Sequence, residues 1–230
     1  MKRTIIIWVL LSFIPLSAHA FKIPGASGLP GMSGKSSESE APEKPEKSAT
    51  DSQEALVAKF KETLGSVLLA QKYLAIAFDQ ADQASELETE IASLEGDCGT
   101  DCLKRVVKVS GKANKSIGKK LEAEAEINAE GKTNYLLALP PYIKGTLSAK
   151  DLVTESTNWG KQATGEIKSA GMMNAPKLKK KLNAGMYVAQ QTPKLVKNWA
   201  KATKQIATYA KASNIDLGSI EGANSFDFGD

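Results

Sequence analysis

Histidine and arginine are nearly missing from this sequence: it has one histidine, His19, and of its 30 lysines and arginines only Arg3 and Arg105 are arginine. His19 and Arg3 fall in the first twenty residues, which have the form of an export signal. Lys2 and Arg3 give a positive start, Thr4 to Leu16 an apolar core, and Ala18-His19-Ala20 a small-x-small cleavage site. Cleavage is expected after Ala20, leaving about 210 residues. An apolar run of about a dozen residues is shorter than the roughly 20 needed to cross a bilayer. Phe21, Lys22 and Ile23 follow the expected cut, so no cysteine stands there for lipid attachment. The expected product is exported, to the periplasm or the exterior, with no imidazole and a single guanidinium.

These absences exclude several chemistries. Ser-His-Asp and Cys-His catalysis, histidine-bound zinc and histidine pH switching all require an imidazole. Repeated bidentate recognition of phosphate requires more than one arginine, so nucleic-acid binding is not expected. No Gly-x-Ser-x-Gly elbow, phosphate-binding glycine loop or calcium loop is present. Glu122, Glu126 and Glu130 share a helical face at four-residue spacing, a pattern common on solvated helices. The expectation is a protein that is not an enzyme and holds no metal or cofactor.

No stretch alternates at period two, which excludes strands and leaves an all-α reading. Residues 21–51 are rich in Gly, Pro, Ser and charge, with Pro24-Gly25, Pro30-Gly31 and Gly34 followed by Glu38, Glu43, Lys44 and Lys47. They read as a disordered linker, because they bury too little apolar surface to offset their ordering entropy. Residues 214–230 read as a flexible acidic tail with Gly218, Gly222 and Gly229, made somewhat adhesive by Phe226 and Phe228. Residues 52–213 are the expected helical domain.

Within that domain, Leu56, Phe60, Leu64, Val67, Leu74, Phe78, Leu87, Ile91 and Leu94 follow helical spacing and predict one long helix over 52–94. Gly96 marks its end. A second helix starts near Thr100 or Asp101, carries Leu103, Val106, Ile117, Leu121 and Ile127, and is expected to run to Gly131 or Leu139, where Pro140-Pro141 would stop it. The pattern weakens through Leu147, Leu152, Trp159 and Ile167. It recovers from Leu178 through Leu182, Val196, Trp199 and Ile206, with Thr192-Pro193 either starting a helix or kinking a longer one. The architecture expected is an elongated antiparallel bundle of about four helices, coiled-coil-like, led by a long disulfide-capped hairpin and flanked by disordered ends.

Charge placement supports the hairpin. Every charged residue from Asp79 to Asp97 is acidic, and every one from Lys104 to Lys120 is basic. Folding back at Gly99 opposes the two runs and is expected to bring Glu122, Glu124 and Glu126 near Lys72. The alternative is that both runs are solvated faces. Gly111 and Gly118 mark a face where backbones would approach closely. Cys98 and Cys102 flank the reversal and are expected to form a structural disulfide in an oxidising compartment. Their spacing differs from the Cys-x-x-Cys of thiol redox centres.

Two features are candidates for binding. The stretch from Ile167 to Ile215 contains ten lysines and no acid. Lys177, Lys180, Lys181, Lys194, Lys197, Lys201 and Lys204 form a candidate surface for anionic lipid or another polyanion, unless the helix carrying them simply builds the core. The second is the almost uncharged segment with Tyr135, Leu136, Leu137, Leu139, Tyr142 and Ile143, read either as a buried cap or as a patch for a partner protein or membrane. The function expected is non-catalytic binding of a protein partner or an anionic envelope component. Two further readings stay open: a pore-forming or membrane-remodelling protein whose apolar segments, including Leu64 to Phe78, rearrange in lipid, and a homo-oligomer, because long hairpins pair between chains as readily as within one.

Overall fold

Ser48 and Asp51 open the first helix. In the computed structural model, which describes residues 48–216, the Asp51 amide donates to the Ser48 hydroxyl oxygen (3.2 Å), and Asp51 sits in the first turn facing the positive end of the helix dipole. This helix, α1 (Ala49–Ala77), is followed by α2 (Ala81–Glu95), α3 (Thr100–Glu122), α4 (Ala129–Ser169), α5 (Gly171–Lys181) and α6 (Asn183–Ala212). The described residues are all helical and connecting turns. Residues 1–47 and 217–230, with the expected signal segment and most of the linker and tail, lie outside them. Residues 49–51, expected in the linker, belong to α1, and Ile215, expected in the tail, is buried.

Six helices replace the four expected because the first predicted helix divides at Asp79 and the last is preceded by a separate helix bounded by Gly171 and Leu182, and three of the helix ends are closed by a left-handed residue other than glycine. The predicted helix over 52–94 breaks at Phe78, where Asp79 takes a left-handed conformation (φ 54°). The Gln80 amide then donates to the Ala75 carbonyl (2.8 Å) and the Asp79 amide to the Ile76 carbonyl (3.0 Å). These bonds satisfy carbonyls that a helix end would leave unpaired. Glu124 (φ 48°) ends α3 the same way through Ala125 to Lys120, and Asn214 (φ 52°) ends α6 through Ile215 to Ala210. The second helix therefore stops at Glu122, short of Gly131. Asn128 caps the next one by accepting from the Gly131 amide (2.8 Å).

Prolines interrupt less than expected. α4 runs through Pro140 and Pro141, and α6 through Pro193. Each proline removes one amide donor to the carbonyl four residues earlier. Pro140 and Pro193 are exposed, and the residues whose carbonyls lose a donor, Leu136, Leu137 and Ala189, are half-buried or exposed rather than buried. The opposite faces of both helices remain packed, and that burial carries the helices past the defects. Thr192 and Pro193 thus lie inside one continuous helix.

α1 lies against α2, α3, α4 and α6, most extensively against α4. Its buried positions, among them Phe60, Leu64, Val67, Leu68, Ala70, Leu74 and Ala77, cover roughly half its circumference at 100° per residue, wider than the stripe of a surface helix. Chain directions follow from the contacts. Lys72 pairs with Glu88 (2.7 Å), setting α2 antiparallel to α1, and Lys144 pairs with Glu62 (3.0 Å) while Lys59 pairs with Glu155, setting α4 antiparallel to α1. Tyr135 and Tyr142 on α4 donate to the Ile206 (2.6 Å) and Trp199 (2.7 Å) carbonyls of α6, so α6 runs antiparallel to α4. α3 and α6 are neighbours and parallel, as Asn183 to Thr100 (3.3 Å) and Gln205 to Glu122 (2.6 Å) require.

Close backbone approach occurs on α4 rather than at Gly111 and Gly118 of α3. A Cβ on Gly131 would stand 2.7 Å from the Ala77 carbonyl oxygen, and one on Gly145 would stand 2.7 Å from Val67 Cγ2 and 3.2 Å from the Val67 backbone nitrogen. A Cβ on Gly111 would meet nothing within 4 Å, and Gly118 faces only the flexible Gln205 side chain.

Candidate anion-binding surface

The acidic and basic runs do oppose each other, as α2 and α3. Arg105 Nε lies 2.9 and 3.1 Å from the two Glu90 carboxylate oxygens, and Lys112 Nζ lies 3.7 Å from Glu86. Glu90 is 5% exposed, so the arginine that the expected mature chain retains serves a structural carboxylate. The remaining pairings differ from expectation. Lys72 meets Glu88, and Glu122 instead faces Lys201 (3.8 Å) and Gln205. Lys104 pairs within its own helix with Asp101 (2.8 Å), and its hydrogen bond and charge hold the Asp101 carboxyl below its ordinary pKa. Cys98 and Cys102 sit at disulfide-bonding distance at the α2–α3 reversal, with Cα atoms 5.2 Å apart.

The acid-free stretch after Glu166 forms α5 and α6. α6 places Val188, Leu195, Trp199, Ala202, Ile206 and Tyr209 in the core, and Lys194, Lys197, Lys201 and Lys204 on the exposed side. One face of this helix builds the core, and its lysines lie on the other. Lys108, Lys115 and Lys119 are exposed on the parallel neighbour α3, which extends the basic surface sideways.

α5 differs from every other helix in having no buried residue. Gly171, in a left-handed conformation (φ 70°), turns the chain out of α4. Ala175 and Leu178 are half-buried, Leu178 against the core, whereas Lys177, Lys179, Lys180 and Lys181 are exposed and take part in none of the ion pairs among the described residues. Met172 and Met173 are 94% and 88% exposed. The far end of α5 is fixed by Gln53 of α1. Its amide nitrogen donates to the Lys181 carbonyl (3.2 Å), and its amide oxygen accepts from the Gly185 amide (3.1 Å). Periodicity predicts neither the methionine pair nor the Gln53 clamp. The legible signal is the run Gly171-Met172-Met173, whose apolar pair has no large apolar partner three or four residues on.

The apolar segment around Pro140-Pro141 is interior. Tyr135, Leu139, Tyr142 and Ile143 are buried, Leu136 is half-buried against the core, and Leu137 alone is markedly exposed, at 49%. The two tyrosine hydroxyls that suited an interface are used on α6 carbonyls, which removes this segment as an exposed patch. Burial pushes the Tyr135 and Tyr142 phenols well above their ordinary pKa.

A groove of about 290 Å³ between the ends of α3 and α6 is lined by Leu121, Glu122, Glu124, Lys201, Lys204, Gln205, Thr208 and Tyr209. Glu122 there is exposed and already engaged by Gln205, and Glu126 and Glu130 are also exposed. Among the described residues there is no cluster of metal-ligating side chains, and no helix is long and apolar enough to cross a membrane. No protein-family model, curated protein or solved structure matches the chain.

Proposed function

We propose that this is a non-catalytic exported protein that docks on an anionic component of the cell envelope through the lysine surface of α5 and α6. The observation that carries this reading is the acid-free run of ten lysines between Ile167 and Ile215, whose candidate surface members Lys177, Lys180, Lys181, Lys194, Lys197, Lys201 and Lys204 are all exposed. Lysines placed to stabilise the fold would face carboxylates, as Lys72, Lys112, Lys144 and, on α6, Lys201 do. Those of α5 face solvent, where a multiply charged partner gains about 1 kcal/mol per lysine at an anionic surface. Export rests on the first twenty residues. The packed helices, read as an antiparallel bundle apart from the parallel α3–α6 pair, serve as the rigid support for this surface.

Co-sedimentation of the chain lacking residues 1–20 with anionic and neutral vesicles, and its retention on immobilised dextran sulfate, test the reading. Binding to anionic material that weakens steeply between about 0.05 and 0.5 M salt is expected, since exposed charges are screened over about 10 Å at 0.1 M. Absence of binding to every anionic matrix by a folded helical protein would overturn the proposal and direct the search to a protein partner. Salt-insensitive vesicle leakage would instead favour a pore-forming or membrane-remodelling role.

A further inference from the structure

We infer that α5 is a lipid-docking tip, in which Met172 and Met173 enter the headgroup and acyl boundary of an anionic bilayer while the neighbouring lysines hold its charged surface. This rests on the anionic-surface reading above and assigns its partner: a bilayer rather than a soluble polyanion. A soluble polyanion has no use for the two methionines. They are almost fully exposed, next to one another on a helix with no buried residue.

Helical geometry puts both kinds of group on one side. Met172 shares a face with Pro176, Lys179 and Lys180, and Met173 with Lys177, Lys180 and Lys181, at spacings of four, seven and eight residues. The inward face is Ala175 and Leu178, the latter packed against the core, and Leu182 beyond the helix end is fully buried. An 11-residue helix is about 16 Å long, too short for the ~30 Å hydrocarbon core, so α5 would lie along the membrane surface. Lysine stems reach from such a position to lipid phosphates, and methionine adapts to a disordered apolar environment. Both ends of the tip are anchored to the packed helices. Gln53 clamps its far end to α1 and α6, and Gly171 sets its exit from α4.

Three variants of the chain lacking residues 1–20 test the inference: Met172→Ser with Met173→Ser, Lys177→Glu with Lys180→Glu and Lys181→Glu, and Met173→Trp. Because the altered side chains are exposed, helicity by circular dichroism should be unchanged. Affinity is measured for phosphatidylglycerol–phosphatidylcholine vesicles and for dextran sulfate. The methionine variant should lose roughly tenfold or more in vesicle affinity and nothing toward dextran sulfate. The lysine variant should lose more than about 100-fold toward vesicles, and should also weaken on dextran sulfate. Trp159 and Trp199 are buried, so a blue shift of Met173→Trp emission on vesicles reports the tip alone. Unchanged vesicle affinity of the methionine variant, with the emission of Met173→Trp staying solvent-like on bound vesicles, would overturn the lipid tip while leaving the anionic surface standing. Failure of the unmodified chain to bind either probe would overturn both.

Discussion

Asp79, Glu124 and Asn214 each hold a backbone conformation that L-residues avoid, at a cost of roughly 1–2 kcal/mol for a side chain with no local compensation. Asparagine and aspartate tolerate it through short polar side chains, whereas glutamate has no such help. Glu124→Gly should therefore raise stability by about 1 kcal/mol, read as a higher urea midpoint with an unchanged slope. The two buried phenols set an alkaline limit. Tyr135 and Tyr142 have folded-state pKa values above the ordinary value of 10.0 because burial disfavours the phenolate. The protonated form is favoured by the fold, so this contribution is intact below pH 10 and is lost as pH rises beyond it. Denaturation midpoints should be flat from neutral pH to about 9 and fall above 10, and the fall should be shallower in Tyr142→Phe. Residue-level chemistry of this kind is partly legible in the sequence. The absence of imidazole can be read directly, but the glycine-free helix ends cannot, because only tertiary packing selects a left-handed Asp or Glu.

Elements are more legible than their limits. The stripes over Leu56–Leu74, Leu103–Leu121 and Val188–Ile206 do face the core, because a 3.6-residue period survives any choice of neighbour. Pro140-Pro141 misleads because local propensity weighs about 3 kcal/mol per proline, and the buried face of a 41-residue helix outweighs it. The α1–α4 contact is not legible, since Gly131 and Gly145 look like ordinary helix-weakening residues until the opposite backbone is in place. Gly145→Ala should cost about 1–2 kcal/mol net, the overpacking against Val67 exceeding the gain in helix propensity. Gly111→Ala, with open space at its Cβ, should gain up to about 1 kcal/mol. Thermal or urea denaturation of the pair measures both signs in one host.

Across the whole molecule, segregation of charge along the sequence becomes segregation by helix. Acids crowd α2, lysines line α3, α5 and α6, and only Glu90–Arg105 and Glu86–Lys112 close between α2 and α3 among the described residues. Exposed pairs contribute about 0–1 kcal/mol each, so the basic surface adds little to stability. The lysine surface is readable from the missing acids. The tip is not, because Met172 and Met173 have meaning only once α5 is known to bury nothing.

The position of α1 has a consequence for the order of assembly. It is the first helix described, yet its most extensive partner, α4, begins about 50 residues after α1 ends. A chain emerging N-terminus first would present the apolar half-circumference of α1 with only α2 and α3 to cover it, a partly built core of the kind that aggregates or recruits a chaperone. A fragment of residues 21–128 should accordingly lack a cooperative unfolding transition and bind a hydrophobic dye. Adding residues 129–216 should restore the first and abolish the second, so that commitment to the native state waits on synthesis of the fourth helix.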